Sequence, residues 1–273
     1  MKEPNLTNLF SGYEGTAQED AIEAEAFIAW HSVCSGEVKD EHNFQCLPLN
    51  RGCALSLPRA PGPVLNRVFG LSTVSELDEA YGWMTAKAGA RFLQLNIESA
   101  SDEVKRWIAA KGLHEKGPAW AKLVRSSEAD VDYPPSDVTC RKVLSSESEL
   151  FGSIICSGFG LPENLIPVWA SIVEKVEWSC FFAVDGDTPI GTGAMYTSGN
   201  RSWLGGGTVL PAFRNRGAQK ALIRARIDEG MARGTSTFVV EAKLSWLSTA
   251  NISYDNLKKL GFEHVYSRSN FVI

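Results

Sequence analysis

Between Val209 and Leu222 the chain reads VLPAFRNRGAQKAL: an apolar strand end, a proline, two arginines and a glycine, then strong helix formers from Ala218 to Met231. A strand, an amide-rich turn and a helix N-terminus in immediate succession point several backbone N–H groups at one spot. The helix dipole adds positive potential there. Gly217 lets an anion come close to the backbone, while Arg214 and Arg216 add charge and forked donors. The chemistry that fits this spacing is the binding of a diphosphate.

Two other phosphate loops are excluded. No GxxxxGK[ST] run is present, and Gly205-Gly206-Gly207 lies before Pro211, inside the strand, so it is not a GxGxxG turn. The stretch resembles the pyrophosphate loop of the GNAT superfamily of N-acetyltransferases, whose pattern is [Q/R]-x-x-G-x-[G/A] after a strand, often preceded by V-x-P. Val209-Leu210-Pro211 and Arg214-Asn215-Arg216-Gly217 match it, whereas Gln219 stands where Gly or Ala is usual. The resemblance implies acetyl-CoA as co-substrate, lying in a V-shaped opening between two central strands. Thr208, Val209 and Leu210 would then pair with the pantetheine arm and give one N–H to the thioester carbonyl. Arg214, Asn215, Arg216, Gly217, Ala218 and Gln219 would hold the diphosphate, with surface ion pairing as the alternative for Arg214.

The implied reaction is direct attack of a primary amine on the thioester, with no covalent enzyme intermediate and no metal. It needs a base for the ammonium and an acid for the leaving thiolate. In many members the acid is a tyrosine four residues before the Gly-Phe pair that ends the last helix. That pair is Gly261-Phe262 here, and the matching position holds Leu257. Tyr254, one helical turn earlier, is the substitute candidate. Asn256, then Ser253 or Asn251, are candidates for the pantetheine. Glu241, at the end of a core strand, is the candidate base. A structural hydrogen bond for Glu241 is the alternative, as is an ordered water for the base. Trp178, Trp203 and Trp246 are candidates for a wall of the acceptor pocket, and His264 for its rim. A CoA-binding module without turnover, or transfer from a different acyl-CoA, remains open.

The elements that position these residues follow from periodicity. Cys140–Leu144, Trp178–Val184, Pro189–Thr197, Ser202–Leu210 and Thr237–Glu241 read as strands. Ser145–Phe159, Glu163–Val176, Gly217–Arg233 and Ile252–Leu260 read as helices, with Arg224, Arg226 and Asp228 mostly outward on the third. Phe262–Tyr266 and Asn270–Ile273 are expected to close the chain as two strands. The fold class is α/β (α+β), a mostly antiparallel mixed sheet flanked by helices. The first half repeats part of this order: strand Arg91–Asn96, helix Ser101–Lys111, strand Trp120–Val124, and helix Ser75–Lys87 in the place that follows the phosphate loop. Asn66–Val74 carries no R-x-x-G-x-[G/A]. Two tandem GNAT-like halves are expected, 1–130 degenerate and 135–273 binding the coenzyme, joined by the Pro-containing stretch 127–136.

Composition agrees with a well-filled fold: 273 residues, 44% hydrophobic, eight tryptophans and a net charge of −5. Without a basic run or a long apolar span, neither nucleic acid nor membrane is an expected partner. The polar start predicts a cytoplasmic protein, monomeric or homodimeric, acting on a small-molecule or protein amine. The six cysteines are expected as thiols. His31, Cys34, His42, Cys46 and Cys53 are dense enough to weigh zinc, but they form no CxxC or HxxxH pair.

Overall fold

The computed structural model describes residues 18–131, 138–245 and 251–273. Two N-terminal helices, α1 (Gln18–Val33) and α2 (Gly36–His42), precede strands β1 (Gln45–Leu49), β2 (Gly52–Ser56) and β3 (Arg67–Phe69). Then come α3 (Val74–Thr85), β4 (Phe92–Leu95), α4 (Asp102–Ala110), β5 (His114–Glu115) and β6 (Trp120–Ser126). The second half comprises β7 (Thr139–Lys142), α5 (Ser148–Phe159), α6 (Ile166–Ala170), β8 (Trp178–Asp185), β9 (Thr188–Ser198) and β10 (Arg201–Val209). It ends with α7 (Ala218–Ala232), β11 (Thr237–Lys243), α8 (Ile252–Lys259) and β12 (Glu263–Val272).

From α1 to β6 and from α5 to β12 the order of elements is the same apart from the two-residue β5, and so is the pairing up to β4 and β11. In each half an antiparallel three-strand meander (β1-β2-β3, β8-β9-β10) meets the next strand in parallel, β3 with β4 and β10 with β11. All strands belong to one twelve-stranded sheet ordered β1-β2-β3-β4-β12-β6-β11-β10-β9-β8-β7, with β5 on β12. The halves exchange strands where they meet. β6, from the first half, lies between β11 and β12. The far end of β12, from the second half, lies between β4 and β5.

Period-two alternation sorts each strand between the two faces. Phe182 and Val184 join Phe151, Trp169 and α1's Phe27 and Trp30 on one face, whereas Phe181 and Ala183 meet Leu222 of α7 on the other. α8 adds Leu257 to Ile223, Ile227, Phe238 and Phe262. Each large apolar side chain buried this way is worth roughly 1.5–3 kcal/mol.

Three expectations are corrected. The end of the chain is one continuous strand, Glu263–Val272, with an irregularity between His264 and Tyr266, because it has partners along its whole length in both halves. The second helix of the second half stops at Ala170 rather than Val176, and Glu174 takes a left-handed turn at φ 57°. Arg226 points inward and is 4% exposed, since it sits four residues after Leu222 on the buried stripe of α7. Of the stretch 127–136, residues 132–136 lie outside the described residues, as does Trp246.

Candidate active site

The site begins where β10 and β11 part. They pair over Arg201–Leu204 and Thr237–Val240. Beyond that point β11 stays with β6 through Lys243, while β10 follows β9 through a bulge between Gly205 and Thr208. Gly206 makes the bulge possible at φ 56°, and Thr192 Oγ1 donates to its carbonyl at 3.0 Å. The glycine triplet is therefore a bulged strand edge beside a V-shaped gap. Leu210 spends its N–H on Ile190 O at 2.9 Å. Alternation places the N–H of Val209 on the opposite edge, toward the gap.

After a 3-10 turn at Pro211–Phe213, Asn215 (φ 65°) and Gly217 (φ 85°) are both left-handed. Two such residues in three gather successive N–H groups into a concavity at the head of α7. No side chain caps this helix, and no preceding carbonyl reaches the amides of Ala218, Gln219 or Lys220. The equivalent helix of the first half is closed. There Thr73 and Glu76 form a reciprocal capping box over the first turn of α3, filling the donors an anion would need.

The arginines face different ways. Arg214 turns back onto Val209 O (3.2 Å) and Gly158 O (3.3 Å). Arg216 pairs with Asp185 at 3.2 Å, with both side chains more than half exposed, and lies over the Phe213 ring. Gln219 bridges to α8, donating to Ser253 Oγ at 2.9 Å and accepting from Asn256 Nδ2 at 2.7 Å. Asn251 caps α8 by accepting from the Tyr254 amide. The Tyr254 hydroxyl meets His264 Nδ1 at 3.2 Å, and His264 Nε2 meets Ser267 Oγ, both outside the cleft.

The gap opens into a cavity of about 1090 Å³ that continues between the two halves. Gly205, Gly206, Gly207, Gln219, Leu222 and Ser253 line it. Phe27, Trp120, Phe159, Trp169 and Trp203 give it an aromatic wall. Trp178 sits instead in the core against Tyr196 and Trp203.

Glu241 is the one carboxylate among the described lining residues. Arg67 holds both its oxygens, at 2.8 and 2.9 Å, and Arg268 donates to Oε2 at 2.6 Å. Behind it lies a buried cluster. Glu23 takes Arg67, Arg268 and Lys122, and Asp20 takes Arg268 and Lys122. Burial alone would raise the Glu23 carboxyl, but the charges of Arg268, Lys122 and Arg67 overturn this and hold it far below the usual carboxylate range. The converse holds at Arg268, where burial would lower the guanidinium but Asp20, Glu23 and Glu241 raise it.

This cluster and Arg226 escape a sequence-only reading, because their members come from six elements spread over both halves. For Arg226 alone a signal existed: its i, i+4 spacing from Leu222. All six cysteines are free thiols, and His31 meets the Phe44 carbonyl. Among the described residues, no three His, Cys, Asp or Glu side chains gather as metal ligands, and no helix is long and apolar enough to cross a membrane.

Residues 154–262 match the model of the Acetyltransferase (GNAT) family. In fold the chain is similar to a GCN5-related N-acetyltransferase from Sphaerobacter thermophilus, with TM-score 0.61, 14% identity, and 95% of this chain and 94% of that one covered. It is also similar to one from Kribbella flavida (0.57, 12% identity, 90% and 95% covered). A third similar structure is a tandem GNAT protein from the clavulanic acid biosynthesis pathway (0.56, 14% identity, 81% and 78% covered). No curated protein sequence matches the chain. Uncapped amides at the head of α7 and the parted central strands lie within the same stretch, 154–262, that is similar to the GNAT acetyltransferase family.

Proposed function

We propose that the protein transfers an acetyl group from acetyl-CoA to a primary amine that enters through the cavity between the halves. The observation that carries this reading is the open head of α7 set against its capped counterpart, α3. Free amides from Asn215 to Gln219 suit the diphosphate, and the edge of Thr208, Val209 and Leu210, with the Val209 N–H toward the gap, suits the pantetheine. Arg214 and Arg216 contribute potential more than direct contacts, since both already have partners.

The amine nitrogen bonds to the carbonyl carbon as the C–S bond gives way, and its proton leaves with the thiolate or to solvent. Glu241 is the group we assign to the incoming amine. Its exposed edge orients the nitrogen, while Arg67 and Arg268 fix the carboxylate. With guanidinium donors on both oxygens it is better suited to orient than to strip a proton, which leaves the base as water. The aromatic wall favours acceptors with an apolar body.

Calorimetry with acetyl-CoA tests the proposal, with Arg214→Ala/Gly217→Glu as the control. The new carboxylate faces the diphosphate, at the cost of about 1–2 kcal/mol of strain at a left-handed residue. Heat of binding in the wild type and none in a folded double variant is the expected outcome. Equal affinity in both places the coenzyme elsewhere.

A further inference from the structure

Arg226 is a cation buried without a counter-ion. Among the described residues no carboxylate pairs with it. Carbonyls solvate most of it instead: Nε donates to Leu222 O at 2.9 Å, and Nη1 to Ala194 O and Gly205 O at 3.2 Å each. Among the described residues Nη2 has no hydrogen-bond partner, and unlike the Nε atoms of Arg67 and Arg268 it is not sealed from solvent. The side chain lines the cavity while only 4% of the residue is exposed.

The neighbouring glycines make room for this group. A Cβ at Gly193 would stand 2.9 Å from Nε, and one at Gly207 would stand 3.3 Å from Nη2. The carbonyl that Nη1 holds belongs to Gly205, the first residue past the last pair shared by β10 and β11, Leu204 with Val240. The unpartnered N–H edge therefore sits at the apex of the V. Burial pushes the guanidinium down to about 10, which leaves it protonated at neutral pH.

We infer that Arg226 is a catalytic residue, a charged donor to the thioester oxygen, acting beside the backbone N–H of β10. The inference rests on the acetyl-CoA reading. As the amine attacks, the carbonyl π pair moves onto oxygen. When the C–S bond breaks, that pair re-forms the carbonyl of the amide, and the electrons of the broken bond leave on the CoA thiolate. A guanidinium fixed by three carbonyls needs no reorganisation to meet the charge on oxygen, and it binds that charge more strongly than the neutral thioester. It also accounts for Gly193 and Gly207, which the diphosphate loop does not require.

S-carboxymethyl-CoA, a stable thioether whose carboxylate lies one bond beyond the position of the acyl carbonyl carbon and can turn an oxygen toward a donor there, is the probe. Calorimetry of the wild type should show it binding about tenfold or more tightly than CoA. Arg226→Gln should bind CoA as the wild type does and lose the preference. Gly207→Ala, which keeps the arginine but sets a methyl against Nη2, should weaken the preference and serves if Arg226→Gln does not fold. No preference in the wild type, or one that survives both variants, overturns the inference while leaving CoA binding intact. Failure of CoA itself to bind would instead strike the acetyl-CoA reading. Succinyl-CoA binding more tightly than acetyl-CoA, with that difference lost in Arg226→Gln, would assign the guanidinium to an acyl carboxylate and also overturn it.

Discussion

Tyr254 illustrates how far a side chain's register reaches. One turn from the position the family's tyrosine occupies, its hydroxyl ends on His264 rather than at the cleft. α8 presents Ser253 and Leu257 to the cavity instead. Tyr254→Phe is expected to leave kcat within about threefold, against the 10²–10⁴-fold that general acid catalysis contributes. A steady-state assay of thiol release checks this, and a larger loss would assign the phenol to the sulfur. Gln219 gives the opposite lesson. Its departure from Gly or Ala looks like a defect in the motif, yet its amide joins the head of α7 to Ser253 and Asn256.

At the level of elements, the second half was legible because its strands and helices carry strong local signals: a near-continuous apolar run in Trp178–Val184, turn residues at Asp185-Gly186-Asp187, and a glycine stop after α8. The first half was legible only in part. β3 is three residues long and β5 two, too short for any period to register, and α1 hides its amphipathic pattern behind the inward-facing Glu19, Asp20 and Glu23. Nor does local sequence reveal the strand exchange, since β6 and β12 look like ordinary strands wherever they pair. A chain divided after Val131 should therefore yield two parts that do not fold alone, each lacking a strand that fills a gap in its sheet. Co-expression should restore a folded complex. Size exclusion and circular dichroism of each part decide it, and an independently folded 138–273 would show the exchange to be dispensable.

On the scale of the molecule, the two halves are joined by charge as well as by strands. Glu23 and Asp20 on α1 meet Lys122 of β6 and Arg268 of β12, Glu23 also meets Arg67 of β3, and both arginines meet Glu241 of β11. Removing one member strands the others, so Glu23→Gln should cost about 3–5 kcal/mol in urea unfolding at neutral pH. Because Glu23 is depressed in the folded state, its stabilisation is full above the ordinary carboxylate value of about 4.3 and is lost as pH falls toward the folded value. Wild-type stability should thus decline below about pH 4. The variant should lose less over the same range, and parallel declines would show that Glu23 does not drive the acid transition.

The reciprocal strand crossing also bears on how the molecule is made. β12 is the last of the twelve strands to be synthesised, and it fills the space between β4 and β5, which are finished long before. Until it arrives, the early half presents an unpaired edge to whatever else is in solution. Translation therefore passes through a stage in which another extended strand can occupy that slot, and the final strand has to win it back.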